Sequence, residues 1–171
     1  KKNLRLIDST NYSFKEILRF ISLNEEILIQ TEDLKKFSNK DFKVVSKKKP
    51  SPKQMKNLIF AFNICRYVKS NAIVLATNET TVGIGSGQPS RLDSCQIAID
   101  KMKKFMHIND DDIVAASDAF FPFVDGIQKL VQSGVSAVVQ PSGSIRDKEI
   151  INFANNTNTI LVFCKTRHFR H

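Results

Sequence analysis

The fold is decided by residues 113–164, which read IVAASDAFFPFVDGIQKLVQSGVSAVVQPSGSIRDKEIINFANNTNTILVFC. Compact apolar runs predict three buried strands, at 113–116, 135–139 and 160–164. Helices are expected between them, over 124–132 and over 145–155, the second with Ser144 as its cap. Because strands and helices alternate, we expect an α/β fold with a mainly parallel sheet and right-handed crossovers.

A helix start and a hairpin precede this stretch. Ser51, Pro52 and Gln54 have the spacing of an N-cap, a first helical residue and a capping-box partner. The helix that they begin is expected to end near Ser70. Two apolar runs on either side of residues 78–79 then predict a hairpin, which leads through a glycine-containing loop into a further helix.

The first fifty residues have a weaker pattern. Short apolar runs predict strands at 4–7 and 27–31, and the stretch 14–23 between them has helical spacing. We therefore divide the chain into a lead-in segment, 1–50, that packs on a main domain, 51–171.

The composition is that of a globular protein with a basic surface. The chain has 171 residues, of which 42% are apolar and 25% charged, and a formal net charge of +9. The lysines are scattered, apart from the run at 47–49, and the phenylalanines lie in apolar segments. This is not the interleaving of basic and aromatic residues that binds nucleic acid strands, so we expect no nucleic acid partner.

The cysteines and the hydropathy also exclude some classes of protein. Cys65, Cys95 and Cys164 are odd in number and far apart, which argues against a disulfide framework or a thiolate metal site and favours buried free thiols. No apolar run approaches the roughly 20 residues that cross a bilayer. Since the first residues lack the pattern of a signal peptide, a cytoplasmic location is the default expectation.

Ligands of open parallel sheets bind at the carboxyl ends of the strands. Three such ends are rich in polar, aromatic or glycine residues, at 117–123, 140–144 and 165–171. The loop at 141–144 opens a helix and suits an anion, but an ordinary strand-to-helix turn is the favoured explanation of such a loop. The sequence therefore places a candidate ligand site along this edge.

The charged and aromatic residues at the carboxyl ends of these strands each have two interpretations. Asp118 and Asp125 flank the Phe-Phe-Pro-Phe segment and suit either a carboxylate pair or the ring nitrogens of a heterocycle, but Asp125 also suits the first turn of a helix. The phenylalanines there are either core residues or a ligand-stacking surface. Arg167, with the neighbouring histidines, suits an anionic ligand or belongs to a solvated basic tail, and no acidic or thiolate partners point to a metal.

Five ordered motifs together resemble one known family. They are VKSNAIV at 68–74, GSGQPSR at 85–91, SDAFFPF at 117–123, PSGS at 141–144 and TRHFRH at 166–171. They resemble the C-terminal half of AICAR transformylases, and the resemblance covers essentially the whole chain. It implies a cytidine-deaminase-like three-layer fold without zinc, with 51–171 as the C-terminal subdomain.

The resemblance also implies a reaction. The family moves a formyl group from the cosubstrate 10-formyltetrahydrofolate to AICAR during IMP synthesis, in a bifunctional enzyme that is also an IMP cyclohydrolase. The positions that match AICAR-binding residues are Asn71, Arg91, Phe120 and Arg167. The positions that match folate-binding residues are Leu92, Asp125, Ser144 and Ile145. The sequence leaves open whether a structural monovalent cation lies near Asp118.

The chain departs from the family pattern at two points. Val124 stands where bacterial members usually have an arginine, before Asp125. The family's catalytic Lys-His pair belongs to the N-terminal half of the transformylase domain and is not found here, so no catalytic residue is assigned. We expect a fragment or a subunit of a split enzyme that is inactive alone and needs that N-terminal half.

Two further expectations concern partners and alternatives. We expect a homodimer with shared sites. Asn71 and Arg91, on the hairpin and the helix after it, would lie far from the strand ends that carry Phe120, Ser144 and Arg167, and the resemblance implies that they reach AICAR from the partner subunit. A second interpretation is a non-catalytic module that binds a purine-pathway nucleotide or folate. A third is a nucleic-acid-binding domain, which is supported by the charge alone.

Overall fold

The first residues form a small unit of their own. The structure, a computed structural model, describes residues 5–8, 10–11, 18–105 and 112–170. It divides into two compact units, Lys1–Lys35 and Lys36–His171. In the first unit, strands β1 (Leu18–Leu23) and β2 (Glu26–Thr31) pair antiparallel, with Phe20 opposite Ile29.

Two expectations for this segment are wrong. The stretch 18–23 is a strand and not part of a helix, because a short apolar run fits either period and cross-strand pairing decides between them. Residues 14–17 of the expected helix lie outside the described residues. Residues 5–7 carry no strand, and Leu4 lies outside the described residues. The division between the units falls before Lys36, ahead of the boundary expected at residue 50.

The described part of the second unit is built around one six-stranded sheet. Its strands are β3 (Phe42–Val44), β4 (Ile73–Thr77), β5 (Thr80–Gly85), β6 (Val114–Ser117), β7 (Ala137–Pro141) and β8 (Ile160–Cys164). Their spatial order is β3-β8-β7-β6-β4-β5. The helices are α1 (Pro52–Cys65), α2 (Arg91–Phe105), α3 (Val124–Gln132) and α4 (Asp147–Asn156).

The sheet is mixed. Strands β6, β7 and β8 are parallel neighbours, as predicted from residues 113–164. The pairs β3–β8, β4–β6 and β4–β5 are antiparallel. The α/β class is therefore confirmed, whereas the mainly parallel pairing holds for the last three strands alone.

Helices cover both faces of the sheet. On one face, Leu58 and Phe62 of α1 are fully buried in a core that includes Val74 and Val139. On the other face, helices α2, α3 and α4 enclose a core that includes Leu75 and Leu161. Successive residues of the buried strands point to opposite cores, as the two-residue period requires. This confirms the three-layer architecture.

Local signals fixed the start of α1 but not that of α4. Ser51 Oγ accepts a hydrogen bond from Gln54 N at 3.1 Å, and Gln54 Oε1 accepts one from Ser51 N at 3.0 Å, which completes the predicted capping box. That helix ends at Cys65, before the end expected near Ser70. Helix α4 begins at Asp147, so the prediction that Ser144 caps a helix from 145 is wrong.

The three cysteines are buried free thiols, as predicted. Burial raises the pKa of the Cys95 thiol to about 12. Among the residues that the structure describes, no helix is long and apolar enough to cross a membrane. In the same residues, no group of histidine, cysteine and acidic side chains is arranged to hold a metal ion.

Candidate functional site

The site lies where five strand ends meet at one edge of the sheet. Because β4 runs antiparallel to both its neighbours, Ile73 at its start is paired with Ser117 at the end of β6 and with Gly85 at the end of β5. The carboxyl end of β7 lies beside that of β8, with Pro141 paired to Cys164. The hairpin therefore enters and leaves the sheet at the edge where the parallel strands end.

A pocket of about 520 Å³ opens at this edge. Its wall contains six of the eight predicted site residues: Asn71, Arg91, Leu92, Phe120, Asp125 and Arg167. It also contains Pro89, Ser90, Ala119, Phe121, Pro122, Phe123, Gly126 and Phe169. The expectation that Asn71 and Arg91 lie far from the strand ends is wrong, because the antiparallel insertion of β4 brings them there. The homodimer with shared sites stays a prediction.

Arg91 is held in the pocket wall by an ion pair. Its Nη1 donates to a carboxylate oxygen of Asp118 and, at 2.9 Å, to Ser117 Oγ. Its Nη2 donates to Asn71 Oδ1 at 2.7 Å. The side chain of Arg91 is 10% exposed and that of Asp118 is 0% exposed. The guanidinium is therefore fixed in orientation before any ligand arrives, and a counter-charge offsets its own.

Asn71, which precedes β4, holds the loop between β5 and α2 as well as lining the pocket. Its Nδ2 donates to the carbonyl oxygens of Gln88 and Pro89, both at 2.9 Å, and its Oδ1 accepts from Arg91. Its carbonyl oxygen accepts from Ser94 Oγ at 2.8 Å. All the hydrogens of the side-chain amide are committed within the chain, so its direct effect is to position Arg91 and the 88–90 loop.

Glycines bring helix α2 close enough to make these contacts. A Cβ at Gly85 would lie 1.9 Å from the Ser94 carbonyl oxygen, and one at Gly83 would lie 2.1 Å from that of Ala98. Any side chain there would displace the helix. The role of these two glycines is therefore close packing of the helix that carries Arg91.

Ser70 ties the end of the chain to the hairpin and was missed by the sequence analysis. Its Oγ donates to Asp118 Oδ2 at 2.7 Å and accepts from Arg170 N at 3.2 Å. Its amide donates to the Arg170 carbonyl at 2.9 Å. Both carboxylate oxygens of Asp118 thus accept hydrogen bonds from protein groups, and we assign no cation to them. A lone serine before an asparagine carries no signal that would reveal this role.

The terminal segment is anchored and is not a solvated tail. His168 is 2% exposed, and its ring packs against Phe62 with 4.4 Å between centroids. Its amide donates to the Asp118 carbonyl at 2.9 Å. The histidine therefore belongs to the core, which leaves Arg167 as the exposed cation of this segment that lines the pocket. His171 lies outside the described residues.

The Phe-Phe-Pro-Phe segment divides between core and pocket. Phe121 is 1% exposed and packs against Gly126, whereas Phe123 is 52% exposed. The guanidinium carbon of Arg167 lies 4.8 Å from the centroid of the Phe120 ring. Asp125 is exposed in the first turn of α3, where its Oδ1 accepts from Gly126 N at 2.7 Å. Phe121 is therefore a core residue, as one interpretation of this segment expected, whereas ligand stacking by Phe120 or Phe123 stays a prediction.

Ser144 and Ile145 do not line the pocket. They follow Gly143, where a Cβ would lie 3.5 Å from Arg167 Nη2, so their loop borders the pocket wall. Asp147 holds the loop by accepting from Gly143 N at 2.8 Å and from Ser144 N at 3.3 Å. Ile145 is 100% exposed. These two positions are at the rim rather than in the wall.

Comparison with known proteins gives one family. The family model described as AICARFT/IMPCHase bienzyme matches residues 1–101. Proteins named bifunctional purine biosynthesis protein PurH are similar over 100% of this chain, with 43% identity in Buchnera aphidicola subsp. Schizaphis graminum and 44% in Bartonella bacilliformis. The chain spans about one third of the length of these curated relatives, 33% in both cases.

A solved structure of dCMP deaminase from the cyanophage S-TIM5 is also similar. The match covers 66% of this chain and 98% of the deaminase chain, at 15% sequence identity and a TM-score of 0.42.

Proposed function

Because the chain belongs to the AICARFT/IMPCHase bienzyme family, we propose that its pocket is the nucleotide- and folate-binding part of an AICAR transformylase site. The reaction would move a formyl group from 10-formyltetrahydrofolate to AICAR during IMP synthesis. The observation that carries the proposal is a single pocket that contains residues predicted for both ligands. Its partners would be the rest of the transformylase domain and a second copy of the chain.

The nucleotide side of the pocket would be formed by Arg91, Phe120 and Arg167. Arg167 stacks on Phe120, which leaves the edge of its guanidinium directed to a ligand, and an arginine edge suits a phosphate or a carboxamide oxygen. Arg91 offers the donors that Asp118, Ser117 and Asn71 do not use. These residues therefore supply oriented cationic donors around a flat aromatic surface, which fits a nucleotide.

The folate side would be formed by Leu92 and Asp125, with Ser144 and Ile145 at the rim. Asp125 Oδ1 is bonded to the backbone, so its exposed Oδ2 remains to accept from the ring nitrogens of a pterin. Leu92 supplies apolar contact from the start of α2. A volume of about 520 Å³ lies within the usual range for small-molecule sites.

The chemistry requires positioning above all. The amine of AICAR is weakened by conjugation with the neighbouring carboxamide, so transfer needs close alignment of the amine with the formyl carbon, removal of a proton and stabilisation of an oxyanion. The residues described here would align the two ligands. We assign the proton transfer to no residue of this chain.

Calorimetric titration of the intact protein tests the proposal. AICAR, 10-formylfolate and a single-stranded oligonucleotide are titrated separately at the same ionic strength. The proposal expects saturable one-to-one binding of AICAR and 10-formylfolate and only weak, salt-sensitive binding of DNA. Binding of the oligonucleotide alone would overturn it and would favour the nucleic-acid interpretation.

A further inference from the structure

A second arginine–phenylalanine pair includes a residue of the pocket wall. The guanidinium carbon of Arg146 lies 4.8 Å from the centroid of the Phe123 ring, the same spacing as in the pair of Arg167 and Phe120. Phe123 lines the pocket, whereas Arg146, the N-cap residue of α4, is not among the lining residues. No function assigned above uses Arg146.

The surroundings of Arg146 leave it able to bind an anion. Among the described residues, the carboxylate bonded to it is that of Glu149, which accepts from Nη1 at 3.1 Å. Its Nε and Nη2 hydrogens have no acceptor among the hydrogen bonds of the described residues. The side chain is 42% exposed, so a ligand can reach it without any rearrangement of the core.

The rim beside Arg146 is apolar as well as cationic. Phe123, which the arginine overlies, is 52% exposed, and Ile145, which precedes the arginine in the chain, is 100% exposed. Val124, which follows Phe123, brings no charge to this side of the pocket. A ligand that leaves the pocket here would meet an aromatic face first and a guanidinium next. That order suits a ligand with an aromatic ring followed by carboxylates.

We propose that Arg146, stacked on Phe123, binds the carboxylates of the glutamyl end of the folate. This inference rests on the proposed function, because it names a subsite for one of its two ligands. The pterin would lie near Asp125, the aminobenzoyl ring would contact Phe123 and Ile145, and the glutamate would reach the cation. Arg146 thereby provides the positive charge that Val124 lacks. The phosphate of the nucleotide would stay with Arg167.

The test compares two probes that differ in the glutamate alone. Affinities of 10-formylfolate and 10-formylpteroate, which lacks the glutamate, are measured by calorimetry on the intact wild-type protein and on Arg146→Gln. The variant should lower the affinity for 10-formylfolate about three- to tenfold, as expected for a partly exposed charge-assisted contact. Its affinity for 10-formylpteroate should stay within about twofold of the wild-type value. Lys148→Gln, which removes an exposed charge from the same helix, should change neither affinity.

A further variant and a measurement of AICAR affinity distinguish the possible outcomes of this experiment. Arg146→Lys keeps the charge but loses the planar guanidinium, so its affinity for 10-formylfolate should lie between those of wild type and Arg146→Gln. The subsite would be overturned if Arg146→Gln lost affinity equally for both probes or lost none for either. A loss of AICAR affinity in the same variant would also overturn it. Wild-type protein that binds neither probe would overturn the proposed function and the subsite together.

Discussion

Arg91 and Asp118 form an ion pair in the wall of the pocket, with 10% of the arginine side chain and none of the aspartate side chain exposed. The pair also connects two parts of the chain, because Asp118 accepts from Ser70, and Ser70 is bonded to Arg170. The residues of the hairpin and those of the terminal segment are thus held through one carboxylate. A change at Asp118 should therefore affect both stability and binding.

The first prediction concerns Asp118→Asn. Removing the charge leaves the buried guanidinium of Arg91 without its partner, which should lower the free energy of unfolding by about 3 kcal/mol. Urea unfolding followed by circular dichroism measures this loss. Glu79→Gln is the control, since Glu79 pairs with Lys56 at the surface and should cost less than about 1 kcal/mol. Equal losses in the two variants would contradict the role of the buried pair.

The second prediction concerns Arg167→Ala. The guanidinium lies over Phe120 at the pocket and should bind the nucleotide, so AICAR affinity should fall by about 1.5–3 kcal/mol, as for a hydrogen bond to a charged group. Calorimetry on the intact protein measures the change. Lys165→Ala removes an exposed charge from the same segment outside the pocket and should leave the affinity unchanged. Similar losses in both variants would show a general charge effect instead.

The third prediction concerns Asp125→Asn. The exposed oxygen of Asp125 should accept from the pterin, and an amide can replace it only in part. We expect 10-formylfolate to bind about tenfold more weakly, with AICAR nearly unaffected. Parallel titrations of the two ligands check this selectivity. If Asp125→Asn and Arg167→Ala weaken the two ligands equally, the division of the pocket into a nucleotide side and a folate side is wrong.

The fourth prediction concerns Gly85→Ala. A Cβ there would lie 1.9 Å from the Ser94 carbonyl oxygen, so α2 must shift and carry Arg91 out of its contacts. We expect a loss of about 3 kcal/mol in the free energy of unfolding, together with weaker AICAR binding. Gly134→Asn is the control, because Gly134 has nothing within 4 Å and its φ of +98° should cost about 1 kcal/mol. A well-folded Gly85→Ala with wild-type affinity would contradict the role of this close approach.

Much of the fold was predictable because its signals are local. The capping box at Ser51 and Gln54 fixes a helix start through contacts within four residues. The alternation of strand and helix over 113–164 similarly fixes three parallel strands. The stretch 18–23 was not predictable in this way, because its conformation depends on pairing with Glu26–Thr31 and not on its own pattern.

The sequence predicted most of the residues that line the pocket, but not how they come together. The motifs identified six residues that do line the pocket. These residues come together because β4 lies antiparallel beside β6, and no local pattern in the hairpin sequence predicts that pairing. For the same reason, the contribution of Ser70 appears only when the terminal segment folds back onto it.

The fifth prediction concerns the pH dependence of stability. Burial raises the pKa of the Cys95 thiol to about 12 from its ordinary value of 9.0, so above pH 9 the unfolded chain loses this proton while the folded chain keeps it. Stability should therefore fall as the pH rises from about 9 towards about 12, by up to about 1.4 kcal/mol per pH unit from this group.

Cys95→Ala isolates the effect of this thiol from that of the lysines, which titrate in the same range. The difference in the free energy of unfolding between wild type and variant is measured by urea unfolding at pH 8, 9 and 10. We expect the stability of wild type to fall more steeply than that of the variant, since the variant has lost the thiol whose burial opposes ionisation. Parallel pH profiles in the two proteins would show that Cys95 ionises as readily in the folded state as in the unfolded state.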